Sequence, residues 1–113
     1  MTEVIEPAIE TVTIDVVLSA LADPVRLTLV RALDAAGDWT CGSDVLRDTG
    51  VAIGKSTLSH HIKVLRQAGL IRTRVDGIRR LVTLRNDEVE QRFPGLLAML
   101  REQDPARAPA STA

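Results

Sequence analysis

The 113-residue sequence predicts one mainly α domain carrying a single β-hairpin. Three observations carry that prediction. Apolar residues recur at helical spacing between residues 14 and 33 and again between 58 and 65. Two β-rich runs flank Asp76-Gly77, a strong hairpin signal. Hydrophobic residues are 45% of the chain and charged ones 26%, the mix of a folded domain. Aromatics are only 2%, Trp39 and Phe93, so the core is expected to be aliphatic. A single-strand binder built on rows of stacking aromatics is therefore not expected. No apolar run approaches the ~20 residues of a membrane span, and no basic-then-apolar start resembles a signal peptide. One cysteine, Cys41, excludes an internal disulfide and a multi-cysteine metal cage within one chain. The expectation is a small cytoplasmic protein with no cofactor and no membrane partner.

The elements follow in order. Residues 1–12 mix acids, Pro7 and scattered apolars, and read as a flexible arm. Residues 13–103 read as the folded domain and 104–113, rich in Pro, Ala and Ser, as a disordered tail. Ile14, Val17, Leu18 and Leu21 fall at i, i+3, i+4 and i+7, one face of a short helix. Asp23 can cap a second helix with Pro24 at its first position, Leu27, Val30 and Leu33 facing inward and Gly37 ending it. The chain is expected to turn around Trp39–Gly42, and Ser43 or Asp44 to cap a third helix ending near Gly50. A fourth begins at Lys55-Ser56 and stops before Gly69. The hairpin runs are Leu70–Val75 and Ile78–Leu84. Asn86 is expected to cap a last helix, with Asp87 and Glu88 in its first turn, where the dipole favours acids. Pro94 should kink or split it. Helices followed by a two-stranded wing, with further helices at both ends, outline a winged helix-turn-helix.

Charge is distributed unevenly. The net charge is −1, but residues 1–54 carry 3 basic and 9 acidic side chains, a net of −6. Residues 55–85 carry 8 basic side chains and one acid, Asp76, a net of +7, and residues 86–113 return to −2. A basic centre between acidic flanks sets where an anionic partner can dock.

The segment Lys55–Leu70 concentrates that charge on a patterned helix. Taking Leu58 as origin, Ile62 and Leu65 lie within about 40° of it, whereas Ser56, His60, Lys63 and Gln67 lie about 140–200° away. Thr57 and Ser59 flank this outer face, which contains no Asp or Glu. An ordinary solvated face mixes both signs in Glu–Lys pairs. Short hydroxyls, one imidazole and one ammonium suit a major groove, whose base edges offer donors and acceptors between rims of phosphate. His61 falls at the margin of the buried face, where a backbone group is expected to satisfy it. Adjacent histidines diverge by ~100° and do not share a metal ion.

A two-residue turn at Asp76-Gly77 would pair Val75 with Ile78, Arg74 with Arg79 and Arg72 with Leu81. Arg74 and Arg79 would then be like charges in direct opposition, a cost that phosphate would relieve. No nucleophile–base pair, paired carboxylates or Gly-rich phosphate loop appears at usable spacing, so no enzyme activity is expected. The competing reading is a protein-interaction module, a helical dimer whose basic face binds an acidic protein and no DNA.

The run Leu21-Ala-Asp-Pro-Val-Arg-Leu27, the run from Ser56 to Ile71 with its Ser59-His60-His61 centre and Leu65-Arg-Gln-Ala-Gly-Leu70 step, and the Asp76-Gly77 wing together resemble the ArsR/SmtB group of bacterial transcriptional repressors. The resemblance covers roughly residues 14–101. It implies a homodimer paired through its first and last helices, with Ile14, Val17, Leu18, Leu96, Leu97 and Leu100 at the interface. It implies double-stranded operator DNA as the partner and release by an effector. Ser56, Thr57, Ser59 and His60 are then the base-edge candidates, and Lys55, Lys63, Arg74, Arg79 and Arg80 the phosphate candidates. The family's metal sensors carry paired cysteines on the third helix or a His/Asp cluster on the last. Here there is one thiol, and residues 86–103 contain no His or Cys. Neither metal site carries over. Cys41 has two readings, a buried core residue or a redox-sensing thiol.

Overall fold

The computed structural model of the protein describes residues 6–105. The tail beyond 105 and residues 1–5 of the arm lie outside the described residues. One 3₁₀ turn, Ile9–Thr11, precedes helices α1 (Ile14–Leu21) and α2 (Pro24–Ala36), a two-residue strand β1 (Thr40–Cys41), helix α3 (Lys55–Gln67), strands β2 (Ile71–Asp76) and β3 (Arg79–Leu84), and helices α4 (Asn86–Arg92) and α5 (Leu96–Glu102). The strands form one antiparallel sheet in the order β1-β3-β2.

The start of α2 follows the sequence closely. The Asp23 carboxylate accepts from the backbone N–H groups of Val25 (2.8 Å) and Arg26 (3.1 Å), with Pro24 at the first helical position. Those donors, Arg26 first, hold the Asp23 carboxyl below its usual range. Gly37 ends the helix with φ 73°. Helix α3 ends in a Schellman motif, the N–H of Gly69 reaching the Arg66 carbonyl and that of Leu70 the Leu65 carbonyl. Gly69 has φ +80°, and a Cβ there would overlap Val12 Cγ2. Pro94 and Gly95 split the last helix into α4 and α5, as the proline signal predicts.

Leu29, Leu33, Leu65, Leu70 and Ile71 are the largest fully buried side chains, joined by Val17, Val30, Val82 and Val89. Burying each such side chain contributes roughly 1.5–3 kcal/mol. This aliphatic centre fixes α3 against α2 and the root of the wing.

Several expectations are corrected. No third helix forms over residues 43–50. Successive turns occupy that stretch, Arg47 N–H bonding Asp44 O and Thr49 N–H bonding Leu46 O, while Val45 and Leu46 pack inward. Thr40–Cys41 is not a turn but strand β1, paired as Thr40↔Val82 and Cys41↔Leu81. Arg85, not Asn86, is the residue before α4, and the Asn86 amide instead donates to Asp34 (3.4 Å). Within the arm, Ile9 and Val12 sit in the core, while Arg85 and Arg92 donate to the carbonyls of Pro7 (2.8 Å) and Val12 (3.0 Å). Of the residues offered for pairing two copies, Val17, Leu96 and Leu97 are buried inside the single chain and do not face outward. Ile14 and Leu18 are exposed, together with Val16 and Met99, and Leu100 is half-buried.

Candidate nucleic-acid interface

Helix α3 presents the side chains the sequence singles out. Lys55, Ser56, Thr57, Ser59, His60 and Lys63 are all exposed, whereas Leu65 is fully buried and Leu58 and Ile62 are half-buried against the core. The outer face therefore carries hydroxyls, an imidazole and an ammonium, with no carboxylate of its own.

The two histidines separate as adjacent helical positions must. His60 is exposed. His61 is buried at 8% exposure, and its Nδ1 lies 3.2 Å from Arg26 Nη1. A guanidinium only donates, so Nδ1 accepts and the ring proton sits on Nε2. The partner is an α2 side chain rather than the backbone group expected. Arg26 also donates from Nε to the Ala20 carbonyl at 2.7 Å, so one side chain joins the end of α1, the start of α2 and the middle of α3.

The wing has a different register from the expected one. Asp76 pairs with Arg79, Val75 with Arg80, Arg74 with Leu81 and Arg72 with Thr83, so Gly77 and Ile78 form the turn. Gly77 has φ +63°, as the first position of a tight hairpin turn requires. The predicted opposition of Arg74 and Arg79 is absent. Arg79 stands across from an acid, and no like-charge cost has to be relieved.

This register sorts the wing's cations by face. Arg80 shares the α3-facing side with Thr73, Val75 and Val82, bringing it to the same groove as Lys63 and Ser59. Arg74, Arg79 and Leu81 belong to the other side, where Cys41 is paired with Leu81. The Arg74 guanidinium lies 4.5 Å from the Trp39 ring centroid, a cation–π contact. Cys41 Sγ is 3.1 Å from Ser43 Oγ. The Ser43 hydroxyl, then its backbone, and more weakly the Arg79 side chain hold the Cys41 thiol below its usual range. The thiol is half-buried, between the two readings the sequence left open. Among the described residues, no three His, Cys, Asp or Glu side chains converge as a metal site.

Sequence reasoning missed Arg26 and Trp39. Arg26 is 35 residues from His61, and no local pattern links them. Trp39 precedes a strand too short to show periodicity.

A helix seated on an aliphatic core with its polar face exposed, and a basic three-stranded wing beside it, define a winged helix-turn-helix protein. A family model described as a helix-turn-helix domain matches residues 21–74, from the end of α1 into β2. The uncharacterized HTH-type transcriptional regulator YceK of Bacillus subtilis (strain 168) is 38% identical over 85 residues, covering 74% of this chain and 82% of that protein. A crystal structure described as a possible transcriptional regulator for arsenical resistance superposes with TM-score 0.56 at 28% identity, covering 66% of this chain and 74% of that one. A possible transcriptional regulatory protein from Mycobacterium bovis shares the fold, with TM-score 0.58 at 23% identity over 76% of this chain and 88% of that one. An ArsR family transcriptional regulator shares it too, with TM-score 0.55 at 24% identity over 88% of this chain and 92% of that one. The chain belongs to the helix-turn-helix transcriptional regulators, DNA-binding proteins and not enzymes, and it shares its winged fold with an ArsR family regulator. The reading as an interaction module without DNA gives way to that membership. No helix among the described residues is long and apolar enough to cross a membrane.

Proposed function

We propose that the protein is a cytoplasmic repressor that binds a two-fold symmetric operator as a homodimer and is released by an effector or by oxidation. The observation that carries this reading is the acid-free outer face of α3 beside Lys63 and Arg80. Ser56, Thr57, Ser59 and His60 would meet base edges in the major groove. Lys55, Lys63 and Arg80 would hold phosphates, and Arg74 and Arg79 would reach the backbone from the outer side of the wing. Two copies would pair through the exposed apolar side chains Ile14, Val16 and Leu18 of α1 and Met99 of α5, setting two α3 helices about one DNA turn, ~34 Å, apart. Cys41 is the candidate redox thiol, since it adjoins the wing through β1.

Gel shifts with the protein's own upstream DNA test this. A dimeric complex whose affinity falls steeply as salt rises is expected, because each phosphate contact releases counterions. Arg80→Ala should weaken all duplexes alike and lower the salt slope by about one. Absent or salt-insensitive binding to that DNA overturns the proposal.

A further inference from the structure

The groove between α3 and the wing has a volume of about 520 Å³, within the ~300–1,000 Å³ of small-molecule sites. Its construction is regular. Ser59, Ile62, Lys63 and Arg66 stand at i, i+3, i+4 and i+7, one stripe along α3. Facing them are two directly paired rungs of the wing, Thr73↔Val82 and Val75↔Arg80, on one face of the sheet. Gly42 lies beneath. Its N–H bonds the Arg80 carbonyl at 2.9 Å, and a Cβ there would stand 3.5 Å from Ile62 Cδ1.

The groove is apolar at its floor and cationic at its rim. Ile62, Val75 and Val82 supply the floor, and Val75 is 41% exposed. Lys63, Arg66 and Arg80 stand around it, Arg74 also borders it although its guanidinium lies over Trp39, and no Asp or Glu is among its lining residues. A DNA backbone laid across the rim would engage the cations and leave the apolar trench unfilled, because phosphate and sugar present little apolar surface. The chemistry that uses both parts is an organic anion, one carboxylate, sulfonate or phosphate joined to an aliphatic or aromatic body.

We propose that this groove is a binding site for an amphipathic organic anion, which competes with operator DNA for Lys63 and Arg80. The proposal rests on the DNA-binding surface described above and assigns its release signal a place and a chemical class. The ligand's anion pairs with rim cations that phosphate would otherwise use, and its body covers Val75 and Ile62. Ligand and duplex then exclude each other, and apparent DNA affinity falls in proportion to ligand occupancy.

Anilinonaphthalene sulfonate, a fluorescent anion with an apolar body, is the probe. Titrated into the full chain, it should bind saturably at one dye per protomer, with enhanced fluorescence that duplex DNA reverses. Arg80→Ala and Val75→Ser should each weaken dye binding about tenfold, the first by removing the counter-charge and the second apolar floor. Far-UV dichroism should show both variants folded, since both side chains are exposed. Dye binding that survives both substitutions would place the dye elsewhere, on the apolar face of α1 for instance, and overturns the site. A saturable dye signal sensitive to both substitutions in a protein that binds no DNA sustains the groove and removes the operator reading. DNA binding with no saturable dye signal does the reverse.

Discussion

Arg26 donates from α2 to His61 in the middle of α3, Nη1 to Nδ1 at 3.2 Å, and this bond separates two neighbouring histidines into different roles. His61 locks the helix to its scaffold, while His60, one position on the other side of the turn, stays exposed. Both belong to a helix whose outward stripe is free because its inward stripe is held at several points.

The neighbouring histidines should therefore respond oppositely to substitution. Arg26→Met strands the buried imidazole and should lower stability by about 1–2 kcal/mol in a urea melt. His60→Ala should leave the melt unchanged and alter which operator bases are preferred in a binding selection. A melt shifted by His60→Ala, with base preference intact, contradicts this division.

Leu18 and Leu97 make a second contrast. Leu18 is 52% exposed and Leu97 is 2% exposed, although the sequence offers both as interface residues. Leu18→Asp should give a folded monomer by sedimentation and cut operator affinity by two orders of magnitude or more, on the order of 3 kcal/mol. Leu97→Ala should instead cost about 3 kcal/mol of folding stability through the cavity it leaves. A dimer unchanged by Leu18→Asp would place the interface elsewhere.

Acid should loosen the attachment of the arm to α4. Glu88 accepts from Arg85 Nε (3.0 Å) and Nη2 (2.9 Å) and pairs also with Arg72, and the Arg85 hydrogen bond comes first among the causes that hold its carboxyl below 4.5. A carboxyl lowered on folding stabilises the protein above its unfolded pKa, and that stabilisation disappears as pH falls through the lower folded value. Stability should therefore fall below about pH 4.5, the ordinary glutamate value. Glu88→Gln should flatten this acid limb and cost about 2 kcal/mol at neutral pH, because Arg85 is only 5% exposed and loses its counter-charge. The figure stays below that of a fully buried pair since the outer side of Glu88 is wet. Denaturation midpoints between pH 3 and 7 give the comparison.

Cys41 should alkylate faster at pH 7 than an unperturbed cysteine, because the Ser43 hydroxyl favours its thiolate. Ser43→Ala should slow the reaction and move its pH midpoint upward. Equal rates in the two proteins would mean the hydroxyl has no part in the thiol's chemistry.

Local chemistry made much of this molecule legible in advance. The cap at Asp23, the terminators Gly37 and Gly69, the split at Pro94 and the acid-free face of α3 each depend on residues within a few positions of one another. A short stretch of chain states such features completely. The hairpin was legible as a hairpin, but its register was not. Asp76-Gly77 and Gly77-Ile78 are both acceptable turns, and the two registers differ by two residues. Both leave Ile71, Val82 and Leu84 on one buried face, so the apolar alternation does not choose between them; the observed pairing sets Asp76 across from Arg79.

What the sequence alone determined about this protein is the order of its elements, its basic centre and the outward side chains of α3, because these follow from spacing and composition. Only the tertiary structure decided that Arg80 shares a groove with Lys63, which leucines remain outside, and what holds His61. Those outcomes join residues tens of positions apart, and burial competes there among many candidate partners that no local pattern ranks.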